Sequence, residues 1–290
     1  MRGRRRLYPR RVPAPSDHEG LISAPGRIHD GLPLFWRSAP VVGDEAPPLY
    51  LHGVPNNSDL WLGFLERSGG IAPDLPGFGR TGKPGTLRYT IEEYADFIEL
   101  FLEHVGVERV SLVMHDWGAV GLAFAQRRPE RVERLVIINA VPFLPGYRWH
   151  RTARIWRTPV LGELAMGTTF RTTARLASRE ANVTPGPLPE AWVDSVMDHF
   201  DQGTSRAILR LYRSSPPEVL AAAGERLGTL AMPALVLWGT RDPYIPERFG
   251  RGYAAALGGA ELAEYADAGH WGWLDRPDMI DRLAAFLSAG

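Results

Sequence analysis

Val113-Met114-His115-Asp116-Trp117-Gly118-Ala119 is the stretch on which the reading of this chain turns. The residues leading into it, 108–114, form a short β-branched run suited to a buried parallel strand. Those that follow, 119–128, place apolar side chains at helical spacing and stop at Pro129, so the chain is expected to run strand, tight turn, helix. Asp116 falls on the turn. The small pair Gly118 and Ala119 lets the new helix pass close to the strand end, which would hold Asp116 in a strained, exposed elbow. An aspartate at this point can simply cap the helix. It can also attack carbon directly: it is ionised near neutral pH without a base, the helix N-terminus favours its charge, and the next backbone N–H is aimed at an oxyanion.

Three further segments favour chemistry. Residues 48–51 read as a strand entering His52-Gly53-Val54-Pro55, a turn that puts the Val54 N–H where a second oxyanion donor is needed. Residues 234–238 read as a buried strand followed by Gly239-Thr240-Arg241-Asp242-Pro243-Tyr244-Ile245-Pro246, with Asp242 just past the strand's carboxyl end. Residues 260–265 lead to Ala268-Gly269-His270-Trp271-Gly272, with a helix expected over 277–287 behind them. Ligands in open α/β sheets gather at the carboxyl ends of strands. Asp242 beside Pro243 would otherwise be a turn former, and His270 a hydrogen-bonded surface histidine. His52 and His115 flank tight turns and are better explained by bonds to loop backbone.

The order Asp116, Asp242, His270 resembles the α/β-hydrolase family, and the His-Asp-Trp-Gly elbow is similar to that of its epoxide hydrolase and haloalkane dehalogenase branches. The resemblance spans roughly residues 20–290 and takes in Asp74-Leu75-Pro76-Gly77-Phe78-Gly79-Arg80, like the loop those enzymes carry before the elbow. It implies an α/β-hydrolase fold: a doubly wound, mostly parallel sheet with an inserted helical cap. The implied boundaries are a flexible Arg-rich tail at 1–18, a core of 19–142 and 231–290, and a cap of 143–230. It also implies a covalent ester on Asp116, with Asp242 orienting His270, His270 taking a proton from water, and Val54 and Trp117 donating N–H groups to the oxyanion.

The leaving group stays open. Epoxide opening needs an acid from the cap, usually two tyrosines in the resembling enzymes; Leu211-Tyr212-Arg213 is similar to the segment bearing one, although Tyr212 beside Ile208 and Leu209 could be a core contact. For the second, Tyr147, Trp149 and His150 are candidates without a motif. Halide release needs two N–H donors, and Trp117 matches one. The other is commonly an asparagine directly after the His-Gly, where this chain has Val54; Asn56 and Asn57 lie nearby, and Trp149, Trp156 or Trp192 could substitute from the cap. A buried halide without donors loses most of its charge-assisted bonding, so the sequence ranks an epoxide hydrolase first and a haloalkane dehalogenase second. An ester hydrolase lacks its Gly-x-Ser-x-Gly here, and a catalytically silent binding protein of the same fold would not need the triad.

Bulk properties agree with this reading. The 290 residues suit one α/β domain with an insertion, and zero formal net charge points to no polyanionic partner. Without cysteine there is no thiol catalysis, disulfide or cysteine-ligated zinc, and no His/carboxylate cluster shows metal-ligand spacing. The expected partner is a small-molecule substrate, with no cofactor, metal, nucleic acid or membrane, and the chain is expected to be a monomer or homodimer. Arg2, Arg4, Arg5, Arg6, Arg10 and Arg11 crowd the N-terminus with no apolar run behind them, so no secretory signal is read and cytoplasmic residence is the default. Lys83 is the only lysine, which makes an arginine-biased, loose tail the simpler reading of that cluster.

Overall fold

The computed structural model describes residues 14–24, 26–41 and 45–289. The Arg-rich cluster therefore lies outside the described residues. Residues 16–18, expected in the loose tail, are instead the start of a strand, because they pair with 36–38 of the next one.

In chain order the elements are β1 (Ser16–Ile22), β2 (Leu32–Ala39), β3 (Pro48–Leu51), α1 (Leu62–Ser68), β4 (Gly70–Pro73), α2 (Ile91–His104), β5 (Val110–Asp116), α3 (Val120–Arg127), β6 (Val132–Ala140), α4 (Arg151–Arg157), α5 (Leu161–Gly167), α6 (Arg171–Ala177), α7 (Glu190–Met197), α8 (Gln202–Ser214), α9 (Pro217–Ala223), β7 (Ala234–Gly239), α10 (Arg248–Ala256), β8 (Glu261–Tyr265), α11 (Gly272–Asp275) and α12 (Asp278–Leu287). The expected alternation of strands and helices is present. α1 is an addition to it, seven residues being too few for helical periodicity to stand out. Between β6 and β7 the regular elements are helices alone.

The eight strands form one sheet in the order β1-β2-β4-β3-β5-β6-β7-β8, antiparallel through β1, β2 and β4 and parallel onward. Alternate side chains of the central strands enter two cores. Leu112, Met114 and Ile137 face α2, α3 and α10, while Val113, Val136 and Leu237 face α1 and α12. With helices covering both faces, the central strands are apolar throughout, which is why β5 reads as a continuous hydrophobic run rather than an alternating one. From β3 the chain moves outward to β4, then crosses back to β5 and continues to β8. The loops after β3 and β5 thus part in opposite directions, and the crevice between them is where such sheets bind ligands.

The elbow depends on close approach. Asp116 is the last residue of β5, at φ 51°, a positive value rare outside glycine. A Cβ on Gly118 would stand 2.0 Å from the Leu51 carbonyl oxygen, so only glycine lets the turn pass the end of β3. Gly118→Ala is expected to destabilise the fold by ~2 kcal/mol or more, measured by urea denaturation; a change within ~0.5 kcal/mol would show that the backbone there yields without cost.

Candidate active site

Asp116 stands at the bottom of the crevice with its carboxylate nearly closed off from solvent. Its Oδ1 accepts the Val54 N–H at 2.8 Å, and the Trp117 backbone N–H lies close enough to the carboxylate to favour its charge. Burial pushes the Asp116 pKa up; His270 and the two N–H groups oppose this, and the net shift is upward. Oδ2 lies 3.7 Å from His270 Nε2, too long for a hydrogen bond.

His270 Nδ1 bonds Asp242 Oδ2 at 2.7 Å. Burial pulls the His270 pKa down, but the charge and hydrogen bond of Asp242, with the charge of Asp116, more than reverse this, so it sits above the usual histidine value. Asp242 is itself fixed: Oδ1 accepts the N–H groups of Tyr244 (2.7 Å) and Ile245 (3.0 Å), and Oδ2 also accepts Asn139 Nδ2 at 2.9 Å. With two backbone N–H groups and the Asn139 amide on its other lone pairs, Asp242 accepts from Nδ1, which leaves Nε2 facing Asp116.

The supporting loops explain the flanking motifs. His52 donates from Nδ1 to the Gly53 carbonyl (2.8 Å) and accepts the Leu75 N–H at Nε2 (2.9 Å); burial holds its pKa down, consistent with the neutral ring this requires. Asp74 accepts the Ser58 N–H at 2.6 Å and the Arg80 N–H at 2.7 Å, tying the loop at 74–80 to the one bearing Val54. His115 donates from Nε2 to the His270 carbonyl at 3.0 Å. Both histidines thus bond to loop backbone, as the sequence suggested.

The crevice widens into a cavity of about 320 Å³, mostly apolar, between the sheet and the helices that follow β6. Val54, Asp116, His270, Tyr212 and His150 line it. His150 is held neutral, its pKa lowered to about 4 by burial and then by His270, and its Nδ1 accepts the Ala153 N–H at the start of α4. Tyr212 meets the Trp117 ring edge-on at 5.3 Å between centroids. Burial, then the Asp116 charge, pushes the Tyr212 hydroxyl well above its usual pKa, so it keeps its proton. That hydroxyl and the Trp117 indole N–H are close enough to influence one another, yet their geometry falls short of a hydrogen bond and the indole N–H is buried without a partner.

Two expected substrate contacts are corrected. Trp149 stacks on Trp117 (5.5 Å, 25°) behind the cavity wall, and its indole N–H is already used by the Ser215 carbonyl at 3.0 Å. Tyr147 packs edge-on against Trp149 and Phe249, with its hydroxyl directed to the Tyr244 carbonyl at 3.4 Å. Neither lines the cavity. Trp156 and Trp192, expected as cap donors, do line it, and so does Tyr244, two positions after Asp242 in a loop already singled out, with its ring edge-on to His270 at 5.1 Å.

Asn139 is a second omission: wholly buried, at φ 37°, it bonds Asp242 and both backbone groups of Gly239. The segment 181–184 is a third. Ala181 accepts the His270 N–H at 2.8 Å, Asn182 bonds Trp271 in both directions, and Asp275 receives Val183, Thr184 and Gly269. A lone Asn at a strand end and Ala-Asn-Val-Thr in a loop carry no motif, so no sequence signal marks either.

A family model described as alpha/beta hydrolase fold matches residues 49–277. A haloalkane dehalogenase of Mycolicibacterium paratuberculosis is 33% identical to this chain over 85% of it and 85% of that protein. Haloalkane dehalogenase 1 of Mycobacterium tuberculosis is 34% identical over 81% of this chain and 83% of its own length. The crystal structure of haloalkane dehalogenase DbeA from Bradyrhizobium elkani aligns over 94% of this chain and 98% of its own at a TM-score of 0.78 and 24% identity, a likeness of fold.

Because two carboxylates raise the His270 pKa, removing either charge should lower it, and Asp242, which acts by both charge and hydrogen bond, should matter more. Nitrogen NMR titration of His270 is expected to give the order native, then Asp116→Asn, then Asp242→Asn, from highest to lowest midpoint. An unchanged midpoint in Asp242→Asn would mean the pair is not coupled in solution.

Proposed function

This chain belongs to the alpha/beta hydrolase family, on the branch that holds haloalkane dehalogenases and epoxide hydrolases, and from that premise we propose that it hydrolyses carbon–halogen bonds through an ester on Asp116. The observation that carries this reading is Asp116 on the wall of an apolar cavity, next in the chain to Trp117, whose indole N–H is buried without a partner. Such an N–H is costly to leave unpaired, and a departing halide is the charge it suits.

Asp116 Oδ2 attacks the carbon bearing the halogen; the carbon–oxygen bond forms as the carbon–halogen bond breaks, and the halide leaves with the bonding pair. Oδ1 stays on the Val54 N–H, with the Trp117 N–H close to the same carboxylate. His270 Nε2 then takes a proton from water, whose oxygen adds to the Asp116 carboxyl carbon. The oxyanion on Oδ1 is held by the same two donors, a type of contact worth roughly 3–4 kcal/mol. Collapse breaks the bond from the carboxyl carbon to Oδ2, which leaves as the alcohol with the proton held on His270 Nε2, and the carboxylate is restored as the proton of the added hydroxyl passes to solvent. The 3.7 Å gap between Nε2 and Oδ2 suits this division of labour, since the histidine is placed to serve the water rather than the aspartate.

The sequence ranks epoxide opening first because Val54 supplies no side-chain amide. Two considerations reverse that order. Relatives matching more than four-fifths of the chain bear the name haloalkane dehalogenase, and the Tyr212 hydroxyl beside Trp117 offers the second donor that Val54 lacks. The epoxide reading keeps one specific support: Tyr212 and Tyr244 both line the cavity, and burial keeps both hydroxyls protonated, as an epoxide oxygen would require.

The purified chain is expected to release halide from bromo- and chloroalkanes, and His270→Gln to accumulate an ester on the peptide containing Asp116, seen as the added mass of the alkyl group. No adduct from either halides or epoxides would remove the two-step scheme; diol formation without halide release would put the epoxide reading first. Trp117→Phe and Tyr212→Phe should each slow halide release by ~10-fold or more, the worth of one hydrogen bond to a charge. Full halide release by Tyr212→Phe would take the second-donor role from Tyr212.

The pH dependence has a definite sign. His270 must be neutral to accept a proton, so ester hydrolysis rises as pH climbs through its pKa. Esterification neutralises Asp116 and removes one of the charges that hold that pKa up. The midpoint for ester decay in single-turnover experiments is therefore expected below the His270 midpoint of the free protein; an equal or higher value would contradict the scheme.

A further inference from the structure

Nine large hydrophobic side chains are exposed among the described residues, and six of them fall between residues 155 and 176: Ile155, Val160, Leu161, Leu164, Phe170 and Leu176. Val160, Leu164 and Leu176 are more than 60% exposed. Exposed apolar groups are ordinary when scattered; gathered on one short stretch they mark an interaction surface. The same part of the chain is strongly basic. From 148 to 179 it carries seven arginines against one acidic residue, Glu163, which is tied to Arg213. Arg171 and Arg175 are paired with acids of α7 and the residue that follows it (Asp194, Glu190 and Asp198), and Arg157 bonds backbone carbonyls. Arg148, Arg151, Arg154 and Arg179 are exposed and have no ion-pair partner among the described residues. α5 and α6 also line the catalytic cavity, through Ala165, Met166, Thr173, Ala174 and Ala177. One thin layer of helix thus presents a cavity wall inward and an apolar, cationic surface outward.

We propose that the outer surface of α4, α5 and α6 docks on an anionic lipid bilayer. Leucine and phenylalanine side chains enter the boundary between headgroups and acyl chains, and the unpaired arginines meet lipid phosphates, their long stems adding apolar contact. Charge selects this occupant: a second copy of this chain would bring the same excess of arginine to the contact, and the repulsion would have to be overcome. The docking goes beyond the proposed hydrolysis and does not depend on it, but the two fit, since lipophilic halides or epoxides concentrate in bilayers and the cavity lies directly beneath the docked layer. It departs from the expectation of no membrane partner, which rested on the lack of a spanning segment; among the described residues no helix is long and apolar enough to cross a membrane, and none is needed to lie on one.

The test is flotation of the full chain with vesicles of phosphatidylcholine alone or mixed with phosphatidylglycerol. Binding to the anionic vesicles is expected to exceed that to neutral ones by ~10-fold or more and to weaken with added salt, as surface charge attraction does. Leu164→Asp with Phe170→Asp should abolish it, and Arg151→Glu with Arg154→Glu should reduce it strongly; neither pair touches the catalytic groups, so turnover of a water-soluble substrate should be unchanged in both. Equal binding to the two vesicle types, or binding that survives both double variants and disappears when the six N-terminal arginines are replaced by serine, overturns the proposal. So does a dimer that Leu164→Asp with Phe170→Asp dissociates while vesicles capture nothing. Vesicle binding without any hydrolase activity would leave the docking standing and remove the enzymatic reading alone.

Discussion

A carboxylate buried at the end of β5 is the constraint around which the rest of this structure is arranged. Taking such a group out of water costs several kcal/mol unless hydrogen bonds and opposite charge make up the difference. For Asp116 the Val54 N–H, the nearby Trp117 N–H and the His270 ring offset part of that cost. The residue also sits at positive φ, a conformation that costs on the order of 1–3 kcal/mol and persists only where its surroundings enforce it. Parallel pairing of β5 with both β3 and β6 supplies that enforcement, so the strain is held by the centre of the sheet rather than by a loop.

Close packing around that carboxylate dictates the neighbouring sequence. A Cβ on Gly53 would stand 2.2 Å from Asp116 Oδ1, so the loop that brings the Val54 N–H into place needs glycine there. That loop is braced in turn by the neutral His52 ring and by Asp74, whose lone pairs are spent on backbone N–H groups at both ends of the brace. On the far side, Asn139 joins the end of β6 to the acid loop, and Asp242 holds His270. Each group near Asp116 is thereby positioned by partners that have no alternative in a water-poor environment, which is how a site keeps its geometry without reorganising during reaction.

Much of this was legible in the sequence because motifs record backbone requirements. His-Gly-Val-Pro, Asp-Leu-Pro-Gly-Phe-Gly-Arg and His-Asp-Trp-Gly each combine a glycine that permits close approach with a polar side chain that satisfies a loop, and the order of Asp116, Asp242 and His270 follows the order of the strands. Residues whose role depends on tertiary placement were not legible. Trp149 and Tyr147 looked available for substrate, but the Ser215 and Tyr244 carbonyls take their donors. Tyr244 lay in plain view beside Asp242, yet which way a turn residue points is decided by packing against His270. Asn139 and Asn182 act through hydrogen bonds to parts of the chain about 90 to 100 positions away, and no local pattern encodes those.

The helices over the cavity are attached in two different ways, and this separates holding the catalytic groups from admitting substrate. Residues 181–184 are bonded to the His270 loop through backbone and side chain alike, and α8 is tied to the core where Arg206 and Arg210 reach the carbonyls of Lys83, Gly85 and Leu87. Moving that half would disturb His270 directly. By contrast, every hydrogen bond and ion pair of residues 151–177 among the described residues is made within the helical insertion, as in Arg157 to Ser215, Glu163 to Arg213 and Arg171 to Asp194. α4, α5 and α6 are therefore the part of the roof that can shift while the triad stays in register. They are also the part that carries the exposed apolar side chains and lines the cavity from above. A surface that bound these helices would act on a cavity wall whose hydrogen bonds and ion pairs do not run to the triad.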